Sequence, residues 1–348
     1  MHRLTVGTCR IELELMPQSP WLVRGKTIRK VIDGTERDLL RPLRHWSGRD
    51  SDEDDLTPPV LPASSLKGVL RSTAEYILRS VDPERSPDRR PLADAPFVCG
   101  KRSELAGQPR GSVADSELIE WNEVNGKSIS PEDLTPGRIY WQLSAASQLF
   151  GATVHAGLLT LDDAVGPSAY AQRSHVAISR FTGGVGKGPY QEELVLPEGS
   201  LSTTLTIRNF ALWQLGLLGI VFQEVSRGYV GVGGGTRKGH GRIEINVKGL
   251  HFSYAANAYP AERVGIVSAQ AYCSQSNGIP EQLRNLEARP DLLANKASAI
   301  AGPESTDWRT NALVQRSVVG PLVDQLFHEA VQEAWCPWVL MMQEEQPS

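Results

Sequence analysis

Pro62-Ala63-Ser64-Ser65-Leu66-Lys67-Gly68-Val69-Leu70-Arg71 is the stretch that predicts most about the fold, and its apolar pattern continues to Val81. Pro62 cannot continue a helix from upstream and biases the residue before it towards extended backbone. Two serines follow and are suited to cap the free N–H groups of a new helix. Apolar residues then recur at helical spacing and predict one buried face: Leu66, Val69, Leu70, Ala74, Ile77 and Val81.

The first turn of this predicted helix carries polar groups that suit a phosphate. They are Ser64, Ser65, Lys67, Gly68 and Arg71. A helix N-terminus already concentrates positive partial charge and free N–H donors, and the glycine lets another backbone come close. The same residues also fit an ordinary capped surface helix, so the pattern leaves both interpretations open.

Composition places the chain among soluble proteins without a general nucleic-acid coat. It has 348 residues, 40% of them hydrophobic, and a net charge of −4. Any contact with RNA must therefore use local basic patches. The four cysteines are scattered, the N-terminus has no apolar leader, and the longest apolar run (210–222) is too short for a bilayer. We expect a cytoplasmic protein with no membrane contact.

The chain alternates between strand and helix patterns along much of its length. Residues 3–16, 201–207 and 243–247 are predicted strands, and 64–81 and 210–227 are predicted helices. Residues 17–59 are predicted as a long loop whose first part is basic and whose end, 50–55, is acidic. The arginines of the basic part suit phosphate contacts, and the acidic run is interpreted as a solvated tip rather than a metal site.

A glycine-rich basic loop, Gly231 to Arg242, separates the second predicted helix from the strand after it. Six of its twelve residues are glycine, and it fits neither a P-loop nor a dinucleotide-binding fingerprint. Its backbone N–H groups are suited to wrap a phosphate without sequence preference. The residues predicted to contact a nucleic-acid backbone here are Gly233, Gly234, Arg237, Lys238, His240 and Arg242.

A second glycine-rich segment, His175 to Tyr190, offers Arg180 and Lys187 for phosphates and Phe181 and Tyr190 for stacking. An ordinary glycine-rich loop without such contacts is the alternative.

These motifs together resemble the RAMP superfamily of CRISPR-associated RNA-binding proteins. Pro62 to Gly68 followed by Arg71 resembles its P-G-S-S-L-K-G…R signature, with Ala63 in place of the usual glycine. Ser147 to Gly151 followed by 156–164 is similar to a second family pattern, and the loop ending at Arg242 to a third. The resemblance implies an α+β fold: a ferredoxin-like or RRM-like core over 1–250 with insertions at 17–59 and 82–140. A thumb hairpin is implied near residues 175–190, and a mostly helical C-terminal extension over 251–348.

The resemblance also implies a function, that of an RNA-binding subunit in a type III (Csm/Cmr-like) CRISPR effector, most like its repeated backbone subunit. The implied partners are guide RNA, complementary target RNA, other RAMP subunits and a large polymerase-like subunit. Metal-dependent cleavage of the target is expected to use Asp33, with Asp38 as a second alignment. Mg²⁺ or another divalent cation would be held by Asp33.

Other interpretations remain open at the level of sequence. Asp33 could pair with Lys30 or Arg37 instead of a metal. The chain could be a non-catalytic capping or bridging subunit, or an endoribonuclease that processes the guide RNA, for which His240 is the candidate catalytic histidine.

Overall fold

A computed structural model describes about two thirds of the chain in ten segments. They are residue 5 and residues 7–32, 34–44, 57–82, 92–93, 143–152, 155–255, 265–268, 292–300 and 313–344. Asp33 lies outside the described residues, and so do most of the predicted insertion 82–140 and most of residues 256–312 in the predicted C-terminal extension.

Thirteen strands and five α-helices make up the described structure. The strands are β1 (Gly7–Pro17), β2 (Arg24–Ile32), β3 (Thr35–Pro42), β4 (Val60–Leu61), β5 (Gly151–Ala152), β6 (His155–Ala156), β7 (Leu159–Leu161), β8 (Ala164–Val165), β9 (Tyr170–Ile178), β10 (Val185–Val195), β11 (Leu201–Arg208), β12 (Ile243–Ala255) and β13 (Leu313–Val319). The helices are α1 (Ala63–Val81), α2 (Ala145–Phe150), α3 (Leu212–Ser226), α4 (Pro321–Glu329) and α5 (Cys336–Glu344). Two short 3₁₀ segments (Thr236–Lys238 and Ala294–Ala299) and a π-helical turn (Ala330–Trp335) complete the set.

The larger sheet has the strand order of a ferredoxin-like fold. Its seven strands run β13-β12-β1-β11-β8-β4, with β7 also paired to β11, and every pairing is antiparallel. Helix α1 lies between β1 and the β7–β8 pair in sequence, and α3 lies between β11 and β12. This β-α-β-β-α-β order, with the first strand between the third and the last, confirms the predicted α+β class.

Strict alternation explains why β1 occupies the centre of this sheet. Cys9, Ile11 and Leu15 are fully buried, whereas Arg10 between the first two is exposed. A half-buried antiparallel sheet shows this pattern because successive side chains point to opposite faces. None of the incompletely buried residues of β1, β11 and β12 is Phe, Tyr or Trp, and His251 is the one aromatic side chain among them. These strands therefore lack the Phe and Tyr residues on which an RRM-like sheet stacks bases.

Helix α3 is buried on most of its surface because helices pack on both of its sides. It contacts α1 and the C-terminal helices, and Trp213 stacks on Trp338 with ring centroids 4.1 Å apart. This packing explains a helix that is apolar nearly all round. Among the described residues no helix combines the length and the apolarity that crossing a bilayer requires.

The C-terminal extension is continuous with the core. Strand β12 crosses residue 250, where the extension was predicted to begin, and runs on to Ala255. Within this extension, predicted as mostly helical, residues 313–319 form a strand instead: β13 pairs with β12 from Leu313 to Val319. Its valines favour extended backbone once a strand edge is available for pairing. Gln343 then donates to the carbonyl of Val81 at 2.7 Å and ties the last helix to the end of α1.

A smaller four-stranded sheet, β2-β3-β10-β9, stands beside the core. Residues 17–59, predicted as a loop, contain the β2–β3 hairpin of this sheet, so that expectation was wrong. The predicted thumb segment is the β9–β10 hairpin, whose strands pair antiparallel. The small sheet joins the core where Trp21 and Val195 exchange two backbone hydrogen bonds of 3.0 and 2.9 Å.

Candidate functional site

The glycine-rich loop is fixed against the chain segment that leads into β2. Gly234 donates its N–H to the carbonyl of Leu22 at 2.7 Å, and Gly241 donates to the carbonyl of Pro20 at 2.9 Å. Gly233 has a φ of +76°, and a Cβ there would lie 2.4 Å from the Leu22 carbonyl oxygen. Only glycine fits such a contact, because other residues rarely adopt this φ and carry a Cβ. The loop is therefore a docked, ordered element.

Within the loop a single 3₁₀ turn, Thr236–Lys238, presents two cations to solvent. Gly235 and Gly239 flank it, with left-handed φ values of +76° and +84°. Arg237 and Lys238 are exposed, as is Arg242 just beyond the turn. A tight turn between two glycines directs long basic side chains outward, which is the geometry that phosphate contacts require.

The β9–β10 hairpin meets this turn through a compact cluster of side chains. The Lys238 ammonium donates to the Tyr190 hydroxyl at 2.9 Å and lies 3.6 Å from a carboxylate oxygen of Glu192. His175 stacks on Tyr190 with centroids 5.2 Å apart, and its Nε2 lies 2.9 Å from Glu192. The hydrogen bond from Lys238 to Tyr190, followed by the charge of Glu192, raises the pKa of the lysine despite partial burial. Lys238 thus stays charged at the junction of loop and hairpin.

His240 is buried under the loop rather than presented at its surface. Only 4% of the residue is exposed, and a Cβ on Gly235 would lie 2.7 Å from its Nδ1. Burial lowers the pKa of His240, and the nearby Arg173 cation lowers it further. A neutral, covered imidazole supports the loop from below. This placement does not favour direct contact between His240 and RNA.

The N-terminus of α1 is capped from another element, which corrects the predicted serine capping. Pro62 is the N-cap, without a side-chain cap bond, and Ser64 and Ser65 belong to the first turn. The Asp163 carboxylate accepts a 2.7 Å hydrogen bond from the Ala63 N–H. A carboxylate is stabilised at the positive end of a helix and occupies one of the donors predicted for a phosphate. Gly68 in the same region is exposed, with nothing within 4 Å of an added Cβ.

The two cations of the family signature at the start of α1, Lys67 and Arg71, make contacts inside the chain. Lys67 donates to the Leu159 carbonyl at 2.9 Å, and burial lowers its pKa, with the Arg71 charge as the second cause. Arg71 donates to Glu75 at 2.7 Å and to the Gly151 carbonyl at 2.8 Å. These bonds tie α1 to the segment from α2 to β7. Phosphate binding by Lys67 and Arg71 stays a prediction, and the structure supplies a packing role for the same residues.

Two arginines of the basic run 24–49 are likewise internal. Arg41 and Arg44 approach one carboxylate oxygen of Glu193 at 3.2 and 2.9 Å, and Arg44 lies over the Tyr170 ring, 4.2 Å from its centroid. These side chains are 10–14% exposed. Their contacts link β3 and the residues just after it to β9 and β10, so they stabilise the small sheet internally instead of facing solvent.

Arg24, from the same run, lies at the glycine-rich loop. Its Nε is 4.0 Å from the Cβ position of Gly234, and the residue is exposed. Arg24, Arg173 and Glu192 were not assigned to the site from sequence. These residues reach the glycine-rich loop only because the strands of the small sheet pair and the loop docks against the segment before β2. No local sequence pattern predicts the pairing or the docking.

The tip of the β9–β10 hairpin is an ordered turn with an exposed aromatic ring. The Ser179 hydroxyl accepts from the N–H groups of Phe181 and Thr182, each at 3.3 Å. Phe181 is 100% exposed, and Arg180 beside it is exposed as well. Lys187 lies in β10, and its side chain is outside the described part of the structure.

The predicted metal ligands are not brought together in the described residues. Asp33 lies outside them. Asp38 lies in β3 opposite Arg29, whose Nε is 3.8 Å from its carboxylate, and both side chains are mostly exposed. No group of three or more His, Cys, Asp or Glu side chains within the described segments could hold a metal ion. Asp38 with its arginine partner does not by itself fit a Mg²⁺ site.

Comparison with known families agrees with the motifs. A family model described as RAMP superfamily matches residues 46–244, more than half of the chain. The match spans α1, the β9–β10 hairpin, α3 and the glycine-rich loop. A search of curated proteins finds no match.

Proposed function

This chain belongs to the RAMP superfamily, and we propose that it is an RNA-holding backbone subunit of a type III CRISPR effector complex. RAMP proteins generally act in CRISPR ribonucleoprotein complexes with RNA and other subunits. One observation carries the proposal: a docked glycine-rich loop that presents Arg237, Lys238 and Arg242 beside the exposed Arg24. On a chain of net charge −4, such a local concentration of cations supports binding to a phosphate backbone.

The loop would contact guide RNA through phosphates and leave sequence choice to base pairing. Backbone N–H groups and arginine or lysine side chains position a nucleic acid without reading its bases. Guided effectors divide the work in this way, since the guide selects the target. The incompletely buried positions of β1, β11 and β12 carry no Phe, Tyr or Trp, which supports placing the RNA at the loops.

Target cleavage is part of the proposal and rests on Asp33. A divalent cation held there would stabilise charge on the scissile phosphate. A Mg²⁺ ion bound by Asp33 would also take ligands from water and RNA, as Mg²⁺ commonly does in sites with one or two carboxylates.

Cleavage of a labelled complementary RNA by the purified complex in Mg²⁺ tests this function. The comparison is between wild type, Asp33→Ala and Asp38→Ala, with guide RNA occupancy measured in each. We expect Asp33→Ala to abolish cutting while guide RNA stays bound, and Asp38→Ala to cut normally. If the wild-type complex binds the target RNA but never cuts it, this chain is a capping or bridging subunit instead. Metal-independent cutting that is lost on His240→Ala would make the chain a processing endoribonuclease.

A further inference from the structure

Lys238 is the cation of the glycine-rich loop whose position the hairpin fixes. Arg237, its neighbour in the same 3₁₀ turn, is exposed. Lys238 donates to the Tyr190 hydroxyl at 2.9 Å, and its ammonium also lies 5.2 Å from the centroid of that ring. A lysine side chain on a turn normally samples many rotamers and loses that freedom when it binds a ligand. In this chain the contact with Tyr190 already restricts the Lys238 side chain, so part of its rotamer entropy is lost before RNA binds.

Tyr190 is itself held from behind. Its ring stacks on His175, with centroids 5.2 Å apart and planes inclined by 23°. His175 in turn contacts Glu192 at 2.9 Å, and Glu192 lies 3.6 Å from the Lys238 ammonium. His175 lies opposite Tyr190 on the paired strands β9 and β10, and Glu192 lies two residues farther along β10. The three side chains therefore share one face of the hairpin and contact one another. Glu192 is only 6% exposed, so it faces the lysine more than it faces solvent.

We infer that Tyr190 is a positioning residue that holds Lys238 ready to bind an RNA phosphate. This inference rests on the proposed function, since it assumes that RNA binds at the glycine-rich loop. Lys238 is the group that would touch the phosphate, and its ammonium keeps donors for that contact because a lysine carries three. Tyr190 acts through the lysine and need not contact RNA. Preorganisation of this kind increases affinity by reducing the entropy that binding costs.

The test is a double-mutant cycle on RNA binding by the full chain. The four proteins are wild type, Tyr190→Phe, Lys238→Ala and the double variant, and the probe is a labelled single-stranded oligouridylate titrated at several salt concentrations. Tyr190→Phe removes only the hydroxyl and keeps the ring that stacks on His175. Tyr76→Phe is the matched control, because this tyrosine of α1 is also exposed, at 69%.

Each variant has a distinct expected result. Lys238→Ala should weaken binding about tenfold and reduce the slope of log affinity against log salt by about 0.7, the value for one phosphate contact on a single strand. Tyr190→Phe should weaken binding about three- to tenfold with the slope unchanged, because the charge remains. In the Lys238→Ala background the tyrosine change should have no further effect. Tyr76→Phe should bind as wild type does.

Two results would overturn the inference, and they are distinguishable. If Lys238→Ala weakens binding but Tyr190→Phe does not, or if the two effects simply add, Tyr190 does not act through Lys238 and the proposed function stands. If wild type does not bind the RNA, or if Lys238→Ala binds as tightly as wild type, the proposal that RNA binds at this turn is wrong. The positioning role of Tyr190 is then wrong as well.

Discussion

Alanine substitutions at Gly239 and Gly241 test how firmly the glycine-rich loop is docked. Both glycines have left-handed backbone, with φ of +84° and +78°, so alanine costs each about 1–2 kcal/mol of folding free energy from backbone strain alone. Their surroundings differ. Nothing lies within 4 Å of a Cβ added to Gly239, whereas a Cβ on Gly241 would lie 2.0 Å from the carbonyl oxygen of Val232.

That contact sets the expected difference between the two variants. The loop can relieve it only by moving Gly241, which accepts from the Val232 N–H at 2.8 Å and donates to the Pro20 carbonyl at 2.9 Å. Each backbone hydrogen bond contributes about 0.5–1.5 kcal/mol net, and overpacking costs about 1–3 kcal/mol. We therefore expect Gly241→Ala to lower the free energy of unfolding by about 3–5 kcal/mol, against about 1–2 kcal/mol for Gly239→Ala.

Urea unfolding monitored by circular dichroism measures both values on the full chain. The matched pair matters because the backbone penalty is shared, so the difference reports the docking contact. Equal losses for the two variants would refute the docked loop, since they would mean that the Gly241 segment adjusts freely.

Three further substitutions, at Gly68, Asp163 and Glu14, test the surroundings of single residues. Gly68→Ala should raise the free energy of unfolding by about 0.5–1 kcal/mol, because the site is an open helical position. The same variant should bind RNA more weakly if an RNA backbone approaches Gly68. Unchanged RNA binding by the stabilised variant would mean that Gly68 does not contact RNA. Asp163→Ala should lower the melting temperature, because it removes the acceptor for the Ala63 N–H and with it about 0.5–2 kcal/mol of folding free energy. Asp163→Asn should retain part of that stability. Equal melting temperatures for wild type and both variants would contradict the capping role. The hydrogen bonds from Lys248 and then Ser200 lower the pKa of Glu14 below its ordinary value of 4.5. The free energy of unfolding of wild type should therefore exceed that of Glu14→Gln above pH 4.5, and this difference should disappear as the pH falls through the lowered pKa. A difference that persists in strong acid would rule out this linkage.

The fold was predictable where local pattern and burial agree. Alternation over β1 and β11, and the apolar run of α3, give elements whose type follows from periodicity alone. The β2–β3 hairpin was missed because charged residues stand at successive positions of its strands, as at Arg29 and Lys30 in β2, and successive residues point to opposite faces. Although Leu39 of β3 is buried, charge on both faces hides the alternation that would predict a strand.

The candidate site was predictable in its residue types but not in their roles. Arg237 and Lys238 were expected at a glycine-rich loop, and the structure presents both at its surface. Lys67 and Arg71 instead bond to carbonyls of the segment 151–159. Such partners come from distant parts of the chain, so the sequence pattern cannot separate a packing cation from a phosphate-binding one.

The central claim is that RNA binds at the glycine-rich loop, and a charge-matched comparison of salt dependence tests it most directly. The test variant replaces Arg237, Lys238 and Arg242 with alanine. The control replaces Arg10, Arg208 and Lys248, three exposed cations of the larger sheet, so both proteins lose the same charge.

Affinity for a labelled single-stranded RNA is measured over a range of salt for wild type and both variants. We predict that the loop variant binds at least about a hundredfold more weakly, with the slope of log affinity against log salt reduced by about 2, while the control stays close to wild type. If the two variants lose affinity and slope equally, or if only the control does, the RNA does not bind at the glycine-rich loop.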